Sequence, residues 1–531
     1  MLLLSAACTV DAVVLPEGYN ALTNKPIAVD GSVEKGAVRG LGGVQGGPKE
    51  TISGDDNLYE EFQLGAIDLL RLPDGYLCDY TLPGIFPNKT QSPSDPAHYE
   101  FEAIDAVLND ASLLPNVKPA DGGELGRVRL SFQAMFDIGL DTCVVGADGT
   151  QTGQPIADIG RWTSVVIGAL KHFNKSLLTE NDPFAEDARD FRVRHVEFLP
   201  DPLGRGGYPS VDALVPHFIS FAEAVRATFP VVGDEPTIRI VGPAFRVTSE
   251  SEVDSTIGAF LDGLTSAGKN SLLDVVSFEL AADSPSKVLA VASRVRTVAT
   301  AKAPNAKVWL SRLEPSAGLV DPLPTTEPPD KARKARSNVV GAFAVGSRIA
   351  LQDVVDELVL WRGDRRSVSL SGSSGESEEG ALWRKNGEEL PGGLAYKAFG
   401  YLNSPTQVRL ETGKTEGDDA KSLWTIVTKE TGTDCGNDEL TCTRLRVVVA
   451  NSRNDGVSSQ AEYQLTIAGL AEFGAESRNV TVRRYPIEAD TRSLDALSDE
   501  QAQLVNGTLY FRFSSGIPGT DYLEISLGTP P

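Results

Sequence analysis

Residues 273–311 read LDVVSFELAADSPSKVLAVASRVRTVATAKAPNAKVWLS. A short apolar run, Leu273–Phe278, is followed by a longer helical segment, Ser286 to Ala301, and by a second short run, Lys307–Ser311. Parallel neighbours in a sheet need a long crossover between them, so strand, helix, strand is the signature of an α/β fold. The same alternation extends in both directions. Strand candidates are Arg39–Val44, Ala66–Leu72, Val128–Gln133, Val193–Leu199, Thr237–Val241, Leu273–Phe278, Lys307–Ser311 and Glu357–Trp361. Helical segments fill the gaps: Glu102 to Leu113, Trp162 to Phe173, Ser210 to Thr228, Glu252 to Ser266, Ser286 to Ala301 and Ser337 to Ala350. In the longest, Val211, Leu214, Val215, Phe218, Phe221, Ala222 and Val225 recur at helical spacing and form one apolar stripe to bury against a sheet. Eight strands with crossover helices predict a (β/α)8 TIM barrel.

The pattern differs at both ends. Residues 9–36 carry short β-like runs separated by Gly, Asn and Pro, which predict strands that join the C-terminal unit. A Ser/Gly/Glu-rich stretch at 367–380 reads as a long loop at the barrel rim. Beyond Ser404 the runs Gln407–Leu410, Leu423–Thr428, Leu445–Ala450 and Tyr463–Ile467 alternate with polar turns, predicting a C-terminal antiparallel β-sandwich. The expected units are residues 1–8 as a truncated lipoprotein signal, 9–36 as added strands, 37–403 as the barrel and 404–531 as the sandwich.

The formal charge of −24 over 531 residues argues against nucleic acid or an anionic membrane surface as partner, while a neutral glycan is not penalised. No apolar run reaches the roughly 18 residues of a membrane span. Met1-Leu2-Leu3-Leu4-Ser5-Ala6-Ala7-Cys8 looks like the end of a bacterial lipoprotein signal, with Cys8 the lipidated residue. Among five cysteines, Cys435 and Cys442 flank a polar hairpin-like stretch at a spacing a disulfide can close, and Cys78 and Cys143 each follow a predicted barrel strand on one rim. Two disulfides and one lipidated thiol predict an extracytoplasmic protein, secreted or lipid-anchored. The run Gly40-Leu41-Gly42-Gly43-Val44-Gln45-Gly46 lacks the spacing of a dinucleotide loop, and His98, His172, His195 and His217 show no ligand spacing; neither cofactor nor metal is expected.

Several motifs stand in a distinctive order. They are Gly42-Gly43-Val44-Gln45-Gly46-Gly47-Pro48, Leu70-Arg71-Leu72, Tyr99-Glu100-Phe101-Glu102, Val241-Gly242-Pro243-Ala244, Leu273-Asp274-Val275-Val276-Ser277-Phe278, and Leu382-Trp383-Arg384-Lys385-Asn386-Gly387 with Tyr396-Lys397-Ala398-Phe399. This order resembles family 39 of the glycoside hydrolases, the β-xylosidase-like and α-L-iduronidase-like barrels, from about residue 37 to the end. The resemblance implies a retaining pair: a carboxylic acid after strand four and a carboxylate nucleophile after strand seven, about 5 Å apart. The family's Asn-Glu-Pro is here Pro200-Asp201-Pro202, so Asp201 stands one methylene short at the acid/base position. Its Ser-Glu-Trp is here Ser311-Arg312-Leu313, and an arginine stays protonated and cannot attack a sugar. Pro73 and Glu279 replace two further histidines of the family pattern. The resemblance with these departures implies a non-catalytic or weakly active homologue that binds a polysaccharide or a surface protein through the barrel rim. The alternative is an active, divergent hydrolase in which Asp201 works with a relocated carboxylate, Glu314 or Glu279. Arg71 and the loop residue Tyr208 are the candidate substrate contacts. Arg312 is expected to pair with Asp201, Glu279 or Glu314.

Overall fold

The computed structural model describes residues 25–45, 67–72, 85–112, 129–134, 155–360 and 390–528, with short gaps inside the longer spans. Eight parallel strands pair in chain order: Gly43–Gln45, Leu69–Leu72, Arg129–Ala134, Val193–Phe198, Arg239–Val241, Val275–Ala282, Lys307–Pro315 and Glu357–Leu360, strands one to eight below. Strand eight pairs back onto strand one, Val359 opposite Gly43 and Leu360 opposite Val44, so the ring of pairings closes. A two-residue strand, Phe245–Arg246, extends the edge between strands five and six and sets Arg246 opposite Glu279.

Among the described residues, helices return the chain between successive strands from strand two onward, such as Val211–Thr228 between strands four and five. The helix Val211–Thr228 starts where the Ser210 hydroxyl accepts the Ala213 amide at 3.3 Å, supplying the cap that a free helix end needs. It buries Val211, Leu214, Val215, Phe218, Phe221, Ala222 and Val225, the stripe that the 3.6-residue period picks out. At the N-terminal ends of the strands one device recurs in two places. Asp274, just before strand six, accepts the Ile240 amide of strand five at 2.5 Å and pairs with Arg226 from the preceding helix. Asp356, just before strand eight, accepts the Val308 amide of strand seven at 2.8 Å and pairs with Arg296 at 2.6 Å. Each aspartate fixes a strand edge and the helix over it, which leaves the opposite, C-terminal ends to carry other chemistry.

The second unit differs from the expected sandwich. Its nine strands form one sheet whose hydrogen bonds close on themselves: Lys25–Glu34, Gln407–Thr412, Leu423–Asp434, Thr441–Asn451, Gly519–Gly528, Arg478–Ile487, Ser498–Val505, Thr508–Ile517 and Ser459–Ala468. All pairs are antiparallel except the closing one, where Lys25–Asp30 runs parallel to Tyr463–Ala468. A sandwich would leave four sheet edges; the N-terminal strand instead fills the gap with an antiparallel partner on one side and a parallel one on the other.

The sheet docks on helices Pro329–Ala350 and Pro391–Gly400, where Val345, Ile349, Leu394 and Phe399 pack with Ile426, Val448 and Tyr522. The two helices touch closely because both contact residues are glycines: a Cβ on Gly341 would lie 2.5 Å from Gly392 Cα. Among the described residues no helix is long and apolar enough to cross a membrane.

Candidate functional site

Side chains alternate along a strand, and in the ring this alternation builds layers. Leu69, Val241, Val275, Trp309 and Val359 form one apolar interior layer, against which His195 also packs, its ring 4.8 Å from that of Trp309. Toward the C-terminal ends, the next inward residues are Arg71 on strand two, Glu197 on strand four, Ser277 and Glu279 on strand six, and Ser311 and Arg312 on strand seven. The interior thus changes from apolar to charged within one turn of the pleat.

Strand seven places two consecutive residues inward. Phe278 pairs with Leu310 and Glu279 with Arg312, so Ser311 is an extra residue, a β-bulge. Leu310 and Leu313 both stay in the outer apolar core, while Ser311 Oγ bonds Ser277 Oγ at 2.8 Å and Arg312 faces Glu279.

The charged residues form one alternating chain. Arg71 Nη2 donates to Glu197 Oε1 and, at 3.1 Å, to Glu279 Oε1. Arg312 Nη1 lies 3.9 Å from Glu279 Oε2, and Arg312 Nε pairs with Glu314. Arg246 Nη2 lies 3.6 Å from Glu314 Oε2. Ser277 Oγ donates to Glu197 Oε2 at 3.1 Å, engaging that carboxylate's second oxygen. Three guanidinium groups and three carboxylates therefore follow one another from floor to rim, with side-chain exposure rising from 1% at Arg71 and Glu197 to 13% at Glu314 and 39% at Arg246. Desolvating the buried members, Arg71, Glu197, Glu279 and Arg312, costs several kcal/mol each, and mutual pairing of this kind offsets it.

Asp201 lies just past strand four in a strained turn, with Leu199 at φ +54° and Asp201 at +41°. Its amide donates to Ala244 O at 2.8 Å, and its Oδ1 accepts the Gly204 amide at 3.2 Å, so the carboxylate caps the turn that follows.

One expectation needs correcting. Tyr208 is not an exposed platform: it is 3% exposed, its hydroxyl bonds His217 Nδ1 at 2.8 Å and accepts the Ile156 amide at 3.3 Å, and its ring sits in the apolar core. Arg71 is buried, held between Glu197 and Glu279. Glu197, Ser277, Ser311 and Arg246 belong to the charged cluster without having been singled out from sequence. For Glu197 a signal existed, its period-two spacing from the inward His195. Cys8, Cys78, Cys143, Cys435, Pro73 and Trp361 lie outside the described residues, as does the side chain of Cys442.

Chemically, retaining hydrolysis needs an open carboxylate nucleophile facing an anomeric carbon and a second carboxyl group free to donate a proton. Here Arg71, Arg312 and Arg246 pair with the carboxylates at the strand ends, and Ser277 donates to Glu197. The residue at the strand-seven position is a cation.

No protein-family model matches the chain, and no curated protein matches it in sequence. Solved structures do. A glucosidase from Croceicoccus marinus is 18% identical with a TM-score of 0.63, the match covering 95% of this chain and 99% of that one. A GH39 enzyme from Xanthomonas axonopodis pv. citri is 12% identical with a TM-score of 0.61, covering 96% and 99%. A GH39 β-xylosidase from Caulobacter crescentus is 14% identical with a TM-score of 0.55, covering 94% and 99%. The neighbours thus include the glycoside hydrolase family that the motif order resembles, and a GH51 arabinofuranosidase is similar as well. At such identities the likeness carries the fold, over almost the whole of both chains.

Proposed function

We propose that this chain is a glycosidase-fold protein that recognises a polysaccharide at the mouth of a (β/α)8 barrel without cleaving it. The observation that carries the reading is Arg312, a cation paired with Glu279 and Glu314 at the strand-seven end. Asp201, the shortened acid position, is engaged in capping Gly204. A carbohydrate is the partner of choice because neighbours of this fold are named for glycoside substrates, and a net charge of −24 does not penalise a neutral ligand. Recognition falls to the outer end of the ion chain, where Arg246 and Glu314 offer donors and acceptors at the rim. In the same reading the protein is exported, secreted or held at the cell envelope through a lipid on Cys8.

One observation favours a second reading, an active divergent hydrolase: Glu279 and Glu314 both project into the mouth and supply carboxylates that Asp201 would complement. Affinity electrophoresis in gels containing soluble xylan or β-glucan separates the two. The binding reading expects the wild type to be retarded, Arg246→Ala to be retarded less, and the glycan to keep its length. Free migration of the wild type, or a shortened glycan, overturns it.

A further inference from the structure

A second site lies away from the ion chain, where the end of helix Pro391–Gly400 meets the closed nine-stranded sheet. A cleft of about 490 Å³ opens there between Tyr401, Tyr485, Tyr522, Glu430, Glu524 and Arg446. The three tyrosines form a row. Tyr522 is buried in the middle, with Tyr401 at 5.5 Å and Tyr485 at 5.2 Å between ring centroids, tilted by 43° and 38°. Tyr401 is 38% exposed and is the one aromatic among the exposed large apolar side chains of the described residues. More than a third of Tyr401 is therefore left to solvent at the lip of a polar cleft.

The polar groups are held in fixed positions. Tyr522 Oη donates to Glu524 Oε1 at 2.6 Å, and Tyr485 Oη reaches Glu524 Oε2 at 3.5 Å. Arg446 Nη1 donates to Glu430 Oε2 at 2.9 Å. Arg446 Nε is buried and makes no hydrogen bond among the described residues; Glu524 Oε1, at 3.8 Å, is beyond hydrogen-bond length. Each carboxylate oxygen has two lone pairs, so Glu430 and Glu524 keep acceptor capacity beside their present partners.

We infer that this cleft is a second carbohydrate site, taking a neutral sugar ring whose C–H face lies on Tyr401 and whose hydroxyls meet Arg446, Glu430 and Glu524. An apolar ring face flanked by paired donors and acceptors matches a pyranose, which is apolar on its faces and polar around its edge. Two carboxylates against one guanidinium disfavour an acidic sugar. The choice of sugar rests on the polysaccharide reading above; the location does not.

Titration calorimetry on the full chain with xylohexaose, cellohexaose and a galacturonic acid hexamer tests it. Neutral oligomers bind and the acidic one does not. Tyr401→Ala and Glu524→Gln weaken binding by about tenfold or more, Tyr401→Trp retains it, and thermal melts confirm folding of each. Affinity unchanged in folded Tyr401→Ala overturns the inference; if Arg246→Ala then abolishes binding, the barrel-mouth reading stands alone. Binding lost in Tyr401→Ala but kept in Arg246→Ala supports this cleft and overturns the barrel mouth. No binding of either neutral oligomer by the wild type overturns both.

Discussion

Arg312 and Glu314 stand two residues apart on the seventh strand and form an ion pair inside the barrel mouth. Because a strand has a period of two, both side chains point the same way, and the pair occupies the end of the strand itself. Removing one partner of a buried pair costs about 3–5 kcal/mol, since the other charge is left desolvated. Arg71 still serves Glu279 and Arg246 still serves Glu314 when Arg312 is gone. Arg312→Ala is therefore expected to lose about 3 kcal/mol, the lower end of that range, as read from urea denaturation.

Arg71 is a more exacting case. One of its nitrogens serves two carboxylates, Glu197 and Glu279, at the floor of the chain of charges. Arg71→Ala leaves both facing each other at the least exposed point, and its expected loss lies near the upper end, about 5 kcal/mol or failure to fold. A loss smaller than that of Arg312→Ala in the same urea series would contradict the arrangement.

The turn after strand four makes a prediction about non-additivity. A Cβ on Gly204 would lie 2.5 Å from Asp201 Oδ2, so Gly204→Ala must displace the carboxylate that caps it. Overpacking of this kind costs about 1–3 kcal/mol, and loss of the cap by Asp201→Ala about 1 kcal/mol. Both changes disrupt one contact. The double variant is expected to lose clearly less than the sum, which a double-mutant cycle measures.

Acid stability should report on Glu430. Burial pushes its carboxyl up, but the Thr406 hydroxyl and the Arg446 guanidinium together hold it below the ordinary value of 4.5. A group whose folded pKa is depressed contributes stability above its unfolded value and loses it as pH falls through the folded one. The melting temperature of the wild type is thus expected to fall below pH 4.5 more steeply than that of Glu430→Gln. Parallel curves in differential scanning fluorimetry would contradict this.

Much of the fold was legible because it rests on local periodicity. The stripe on Val211–Thr228 and the starts of strands four and seven, Val193 and Lys307, coincide with the structure because burial follows the 3.6 and 2 periods directly. Closure of the second sheet was not legible. Alternation assigns faces to Tyr463–Ile467 but cannot reveal that Lys25–Asp30, far away in sequence, pairs alongside in parallel. The same limit applies at the site. Period two puts Glu314 on the side of Arg312, yet the bulge at Ser311, which turns that serine inward as well, depends on the neighbouring strand. Tyr208 follows a loop of turn-forming residues and reads as exposed; His217 and Ile156, which bury it, come from other segments.

The central claim, a glycosidase fold with an ion chain at its barrel mouth that does not cleave a glycoside, is tested most directly by turnover. A panel of aryl β-xylosides, β-glucosides and α-L-arabinofuranosides is assayed on the wild type and on Asp201→Ala. The account predicts release of aryl alcohol no faster than in buffer for either protein. Turnover by the wild type that Asp201→Ala abolishes would contradict it.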